Sequence, residues 1–325
     1  MTRDRIGPAK PVPSLPRRSE IGERTLPRSD AAARRTWPRR ILVGTDGTSS
    51  AAPAIAAARA IADRSGAVVE METVYQPRVP LPASVGRRGI EQCERTERGS
   101  ALSLLLRVRR QRRLLAQYAH GWPLRFEVGD PAAIISDAAT ESDADLVITG
   151  IGHFDPLGAR CDGRTALRIA RHLGVALLAA APGGETPTRC VIAFPDGQLH
   201  APTVRAALRL LPADAPLWIA MPDRFSTAHP ELIVEGSGRD LVAEAQRGAD
   251  CADVAGRAPC ERVDIAGDML TGLLNLVRDT GAQLVAVANR GAPGQVRAFL
   301  PNIAEPLLVA APCSVLVVPD NVSPQ

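Results

Sequence analysis

At 325 residues the chain is long enough for two domains of ordinary size, each with its own core. A hydrophobic fraction of 45% excludes disorder over most of that length, and with only 3% aromatics the cores must be built from Ala, Val, Leu and Ile, which suits buried parallel strands under Ala-rich helices. The net charge of +4 belongs to the tail: residues 1–40 hold ten Arg and one Lys against four acidic residues, or +7, leaving −3 for the rest, which weakens any case for a nucleic-acid-binding surface on the domains.

No apolar run reaches the length of a transmembrane helix, and MTRDRIGPAKPVPSLPRR offers no apolar stretch for a secretory signal, so a cytoplasmic protein without membrane contact is expected. Residues 1–37 scatter Pro and Arg without periodicity and read as a disordered basic leader. Such a leader is either a tether to RNA, DNA or a partner, or a solvated extension, and the second is the simpler reading.

ILVGTD (Ile41–Asp46) is a short apolar strand ending in a turn. SSAAPAIAAARAIADRSG follows as a helix, with Ser49 or Ser50 as N-cap and Gly66 as its stop. AVVEMETVY is a second strand. A Pro-rich loop from Gln76 to Ala83 then leads to a helical stretch from about Arg88 to His120. There Leu104, Val108 and Leu115 can face a sheet, leaving Arg107, Arg109, Arg110, Arg112 and Arg113 as a solvated face or a surface for an acidic partner. LRFEV is a strand, DPAAIISDAATESD a helix, ADLVITG a strand, GRTALRIARHLG a helix and VALLAAA a fifth strand. This alternation predicts a parallel doubly wound sheet with right-handed crossovers. PGGETPT is a linker. Beyond it CVIAF and APLWIAMP are strands and DRFSTAHPELIVEGSG is a loop. DMLTGLLNLVRDTG, AQLVAVA, the segment around NIAEPLLVAA and CSVLVVP resume the alternation.

The chain carries one pattern twice. GDPAAIISDAATESDADLVITG (Gly129–Gly150) lies opposite GDMLTGLLNLVRDTGAQLVAVA (Gly267–Ala288) with no gap. Gly129 falls on Gly267, Asp130 on Asp268, Ala144 on Ala282, Leu146 on Leu284 and Val147 on Val285. The same offset of 138 carries on to LGVALLAAA (from Leu173) against APCSVLVVP (from Ala311). A repeat of this length means two homologous domains in tandem.

In open parallel sheets ligands bind beyond the carboxyl ends of the strands, at the switch point beside the first strand. Two segments meet there: GTDGT, with Asp46 at the crevice, and GIGHFDPLGARCDGRT, a glycine loop running into a helix start at Gly163. Free N–H groups and the positive end of a helix dipole suit such a place to phosphate. His153, Asp155, Cys161 and Asp162 share that loop without any standard zinc spacing. Thr48, Ser49 and Ser50 have no matching His and Asp for a triad, and no P-loop is present, so no catalytic residue and no metal are assigned and a non-enzymatic protein is expected. The six cysteines show no CxxC pair. They read as free thiols, with Cys313 in a core strand and Cys251 with Cys260 as the alternative redox pair.

A strand ending VGTDGT, a GDPAAII segment, a DADLVITG strand, a glycine-containing loop and a terminal APCSVLVVP strand follow one another in order. This combination resembles the universal stress protein family in its tandem form, over about residues 38–182 and 188–320. The resulting division is a leader at 1–37, a first domain at 38–182, a linker at 183–188 and a degenerate second domain at 189–320. The resemblance implies two five-stranded α/β domains of adenine-nucleotide-binding type, paired through their last strands as a pseudo-dimer within one chain.

It also implies a site. ATP-binding members resemble one another in a loop written G-x2-G-x9-G-[ST]. Gly150 matches its first glycine and Gly163 its last, His153 replaces the middle one, and Arg164 precedes Thr165 where Ser or Thr is expected. A Cβ at a position that needs positive φ costs roughly 1 kcal/mol or more, while Arg164 can supply charge to an anion. Asp46 matches the family's first-strand aspartate, and Val74 the apolar residue that lines the base. In the second half Ala288 stands for the first glycine, Gly291 keeps the middle one and Pro301-Asn302 replaces the final pair, with Pro195 or Asp196 opposite Asp46. The expectation is a stress-response regulator with degenerate nucleotide loops, acting on unidentified protein partners, with ATP as cofactor or none. The alternative is an adenine-nucleotide sensor working through Asp46, Val74, Gly150, Gly163, Arg164 and Thr165. Homodimerisation beyond the intrachain pair is left open.

Overall fold

The computed structural model describes residues 37–45, 51–75, 121–151, 164–183, 186–223, 260–289 and 303–319. The leader expected up to residue 36, the loop expected at 76–83, the helix expected from about 88 to 120 with its arginines, and the loop expected at 223–238 beyond its first residue lie outside them.

The first half contains β1 (Arg40–Thr45), α1 (Ala52–Ser65), β2 (Val68–Tyr75), β3 (Leu124–Val128), α2 (Pro131–Glu141), β4 (Leu146–Gly150), α3 (Arg164–His172) and β5 (Ala176–Ala180). The second contains β6 (Cys190–Ala193), α4 (Ala201–Leu210), β7 (Leu217–Pro222), β8 (Cys260–Ile265), α5 (Met269–Thr280), β9 (Leu284–Asn289), α6 (Ala304–Ala310) and β10 (Ser314–Pro319). The ten described strands form one sheet in the order β3-β2-β1-β4-β5-β10-β9-β6-β7-β8. Every pairing is parallel except β5 with β10, where Leu178 lies opposite Leu316 in antiparallel register. The strands of the two halves therefore run in opposite directions, and their carboxyl ends emerge at opposite edges of the sheet. The expected doubly wound domains, joined through their last strands, are the architecture observed.

Burial explains why the strands are near-continuous apolar runs: both faces of the sheet are covered. One core lies on the face of α1 and α4 and includes Ile41, Val43, Ile192, Val204 and Leu316. The other lies under α2, α3, α5 and α6 and includes Leu42, Ile135, Ile169, Leu273 and Leu307. Each core draws on both halves. Polar bonds fasten the seam as well. The Ala181 N–H donates to Ser314 Oγ at 3.0 Å, the Asn289 amide to the Ala170 carbonyl at 3.1 Å and the Arg64 guanidinium to the Leu210 carbonyl at 2.9 Å. Arg171 of α3 pairs with Glu305 of α6 at 2.7 Å.

Three local features depart from the expectations. Trp37, the last residue of the leader, is buried in the α1-side core. The N-cap of α1 is Ala51, without a side-chain cap; Ser49 and Ser50 lie outside the described residues. A proline in the first turn of α1 has its φ preset and carries no N–H to cap, which lessens the need for a capping hydroxyl. At the other end Gly66 terminates α1 in the left-handed region, φ 73°, as expected. Third, α4 and β8 fill stretches where no element is expected.

The register accounts for those two elements. Val43 pairs with Ile148, Ile192 with Ala286, and Ile148 and Ala286 are equivalent by the 138 offset. Val43 therefore corresponds to Ile192, an offset of 149 that also relates the first residues of α1 and α4. Pairing of Val43 with Met71 and Ile192 with Ile219 gives 148 in β2 and β7. Pairing of Met71 with Leu124 and Ile219 with Arg262 brings the offset to 138. The second half is thus shorter between its second and third strands, and its opening unit lies out of phase with the rest of the repeat.

Candidate functional site

In the first half, β1 lies between β2 and β4, where the strand order reverses, so the crevice opens beyond Thr45 and Gly150. A small residue is required just below it: a Cβ on Gly44 would stand 2.6 Å from Ile135 Cδ1 and 3.2 Å from Thr149 Cγ2. Helix α2 consequently packs close over the end of β1. Val74 is buried in the α2-side core with Leu42, Ala132 and Ile135, at the carboxyl end of β2. Gly150 ends β4 half-buried, and the next residue, Ile151, donates its N–H to the Ala180 carbonyl at 2.9 Å. Thr165 is exposed in the first turn of α3.

The structure thus places Val74, Gly150 and Thr165 at one edge of the first half. Arg164 begins α3; its side chain, together with Asp46 and Gly163, lies outside the described residues. So do His153, Asp155, Cys161 and Asp162. Among the described residues no group of three or more His, Cys, Asp or Glu side chains is arranged to hold a metal ion.

Asp130 frames this edge and was singled out in the sequence only as part of the repeat. As N-cap of α2 it accepts from the Ala132 and Ala133 N–H groups at 2.9 and 3.2 Å and pairs with the Arg168 guanidinium of α3. Burial pushes its carboxyl upward, but the Arg168 bond and charge and the two backbone donors outweigh this and hold it below its usual value. In the second half Asp268 caps α5, accepting from Thr271 N and Oγ1 at 2.9 and 2.6 Å. Those Thr271 bonds hold its carboxyl low as well. Pro306 stands where the first half has Arg168, so that clasp has no second copy.

Three threonines at the first-half edge also went unremarked in the sequence: Thr45, Thr73 and Thr149, all buried near the ends of β1, β2 and β4. Their register counterparts in the second half are Phe194, Met221 and Val287, equally buried. Counting on from Val43 and Ile192 puts Pro195, not Asp196, at the position of Asp46. Asp196 is engaged in its own turn, accepting from Gln198 N at 3.0 Å, which Gly197 closes with an N–H bond to Phe194 O at 2.9 Å. His200 occupies the N-cap position of α4 with Nδ1 2.6 Å from Thr203 Oγ1. Ala288 and Asn289, at the place of Gly150 and Ile151, are both buried. Gly291, Pro301 and Asn302 lie outside the described residues.

The described cysteines, Cys190, Cys260 and Cys313, are free thiols. Burial pushes the Cys313 thiol up to about 12. The Cys190 thiol is raised well above its ordinary value, by burial first and then by the neighbouring Cys313 and Cys260. Cys260 is half-buried, and Cys251, its partner in the redox alternative, lies outside the described residues.

The model of the universal stress protein family matches this chain twice, over residues 38–180 and 200–319. A universal stress protein from Archaeoglobus fulgidus DSM 4304 superimposes with a TM-score of 0.56, at 13% identity, over 87% of this chain and 99% of that one. A protein of unknown function from Pseudomonas aeruginosa PAO1 gives a TM-score of 0.50 at 15% identity, over 87% of this chain and 93% of that one. No curated protein sequence matches the chain at a significant level. At these identities the structural likeness speaks for the fold.

Proposed function

The chain belongs to the universal stress protein family, with two of its domains in tandem, and from that premise we propose that it is a non-enzymatic cytoplasmic regulator of stress adaptation, acting through protein partners. The observation that carries this reading is the second-half edge. Pro195 stands at the aspartate position and has no N–H to offer, Ala288 replaces the first loop glycine, and Phe194, Met221 and Val287 fill the strand ends. A domain with that edge serves as the structural partner of the first. No helix among the described residues is long and apolar enough to cross a membrane.

A second reading has its own support. The first-half edge keeps Gly150, Thr165 and three buried threonines, groups that suit a polar ligand, so the first domain is an adenine-nucleotide sensor with Asp46, Val74, Gly150, Gly163, Arg164 and Thr165 as contacts. One experiment separates the readings: purified protein with Mg²⁺ and excess ATP, followed by thermal unfolding and by phosphate release, alongside Gly163→Trp. A ligand at a hundred times its dissociation constant stabilises the native state by about 2.7 kcal/mol. A shift that disappears in the variant makes the protein a sensor. No shift in either favours the partner-binding regulator, and ATP-dependent phosphate release above the variant's rate would defeat the non-enzymatic reading.

A further inference from the structure

We propose that α3 is the element through which the second half controls the first-half site, an inference that rests on the sensor reading. Asn289 reaches across the seam to the last turn of α3 and sets how completely that helix is formed, and so how ready its first turn is for a nucleotide.

A helix of nine residues is marginal on its own. The buried face of α3 is Ala166, Leu167, Ile169 and Ala170, and its two alanines bring little apolar area. The order of α3 therefore depends on what holds it along its length. Near its middle Arg168 pairs with Asp130 of α2. Its last turn leaves carbonyls without partners inside the helix, and no residue after it adopts the left-handed conformation of the glycine stops that close α1 and α5. Instead the Asn289 amide, at the end of β9, donates to the Ala170 carbonyl at 3.1 Å. Both residues are buried, so water does not compete for the bond. The neighbouring Arg171–Glu305 pair is about one third exposed on each side and adds little.

The sheet does not need an amide at this place. By the 138 offset the counterparts of Asn289 and Ala170 are Ile151 and Leu308, and those of Glu305 and Arg171 are Leu167 and Val309. Ile151 is as buried as Asn289, so an apolar residue fills the same strand end in the first half. Asn289 also keeps its Oδ1 buried with no partner among the described residues, a cost that a residue serving stability alone would avoid. Both polar links thus end on α3, and the mirrored positions at α6 are apolar.

This arrangement gives α3 two handles. Thr165, in its first turn, lies at the ligand edge. Ala170, five residues on or about 7.5 Å along the axis, is held from the second half. One short helix, formed or frayed, is biased from both ends, so the two ends are linked. Apparent affinity for a ligand at the first turn scales with the formed fraction, and a bound ligand raises that fraction in return.

The test is hydrogen exchange of the backbone amides of residues 169–173 in the full chain, for the wild type and Asn289→Ile, with and without ATP. Without ATP the variant should exchange about fivefold faster there, the loss of one hydrogen bond, while β1, β4 and β9 keep their wild-type rates. ATP should slow the same amides in both proteins, although they lie at the far end of the helix from the ligand edge. Should Asn289→Ile fail to fold, Asn289→Ala, which removes the amide without adding volume, takes its place. Wild-type exchange of these amides in the variant overturns the proposal. Faster exchange throughout both halves overturns it too, and makes Asn289 a general stabiliser. ATP that binds by calorimetry yet leaves residues 169–173 unchanged overturns the proposal and leaves the sensor reading standing. A wild type that binds no ATP overturns both.

Discussion

The two halves of this chain share a backbone and differ in what they place at its edge. Strand for strand, β1 with β6, β2 with β7 and β4 with β9 keep one register. Yet Thr45, Thr73 and Thr149 face Phe194, Met221 and Val287, and Gly44 faces Ala193. The apolar set is sufficient for the fold, which singles out the polar set as the part that calls for a functional explanation. The seam differs between the halves too. Asn289 reaches across to Ala170, whereas its counterpart Ile151 has no side-chain polar group with which to return the contact. The first half thus carries the candidate chemistry, and the second grips the first half's α3 from its far end.

If that grip and the shared cores make the halves one cooperative unit, damage at the seam should be felt by both. Leu316 is fully buried in β10 opposite Leu178 of β5. Leu316→Ala should cost about 3 kcal/mol through lost burial and the residual cavity, and calorimetry should show one transition moved as a whole. Two transitions, with only the second half's displaced, would mean that the halves fold independently and that the continuous sheet is not a continuous unit of stability.

A smaller effect sharpens the comparison within the repeat. After α2 the chain turns at Asp143, φ 49°, and after α5 at the equivalent Gly281, φ 63°. Both positions are left-handed, where a Cβ is strained and glycine is not. Asp143→Gly should stabilise the protein by roughly 0.5–1 kcal/mol, partly offset by the freedom glycine adds to the unfolded chain. Urea unfolding with no gain would show that Asp143 meets its conformational cost through local interactions that Gly281 does not need.

The same repeat explains what could be read in advance. Buried parallel strands such as ILVGTD and DADLVITG are unbroken apolar runs, so their alternation with Ala-rich helices is visible without coordinates, as is the match of Gly129 with Gly267. Strand β8 was accessible in principle, because carrying the 138 offset back five residues from Gly129 lays LRFEV on RVDIA. It was missed because Arg262 and Asp264, paired at 2.9 Å, give a sheet-edge strand the look of a loop. Helix α4 was hidden by the change of offset to 149 and by its opening Ala-Pro. The threonines were not legible at all. Threonine is an ordinary strand residue, and only the register shows that Thr73 and Thr149 flank the end of β1 while their counterparts are apolar.

The smallest effect concerns charge at the first-half edge. Asp130 and Asp268 cap equivalent helices, but only Asp130 has an arginine, Arg168, from the next helix. Its carboxyl lies below the ordinary 3.8 in the native state. A carboxyl depressed on folding stabilises the protein above its unfolded-state pKa and loses that contribution as pH falls through the native-state value. Asp130→Asn keeps a good N-cap while removing the charge, so it isolates the Arg168 pair from the capping bonds. Because the Asp130 side chain is 36% exposed, solvent screens the pair and the cost at neutral pH should be only about 0.5 kcal/mol. That difference should shrink as pH falls below the ordinary carboxylate range, where the wild type becomes protonated too, and it should also shrink in high salt. Denaturant unfolding at neutral and acid pH checks both. A deficit in Asp130→Asn that persists unchanged at low pH would mean that Asp130 works through backbone capping alone and that the clasp between α2 and α3 adds nothing to the first half's stability.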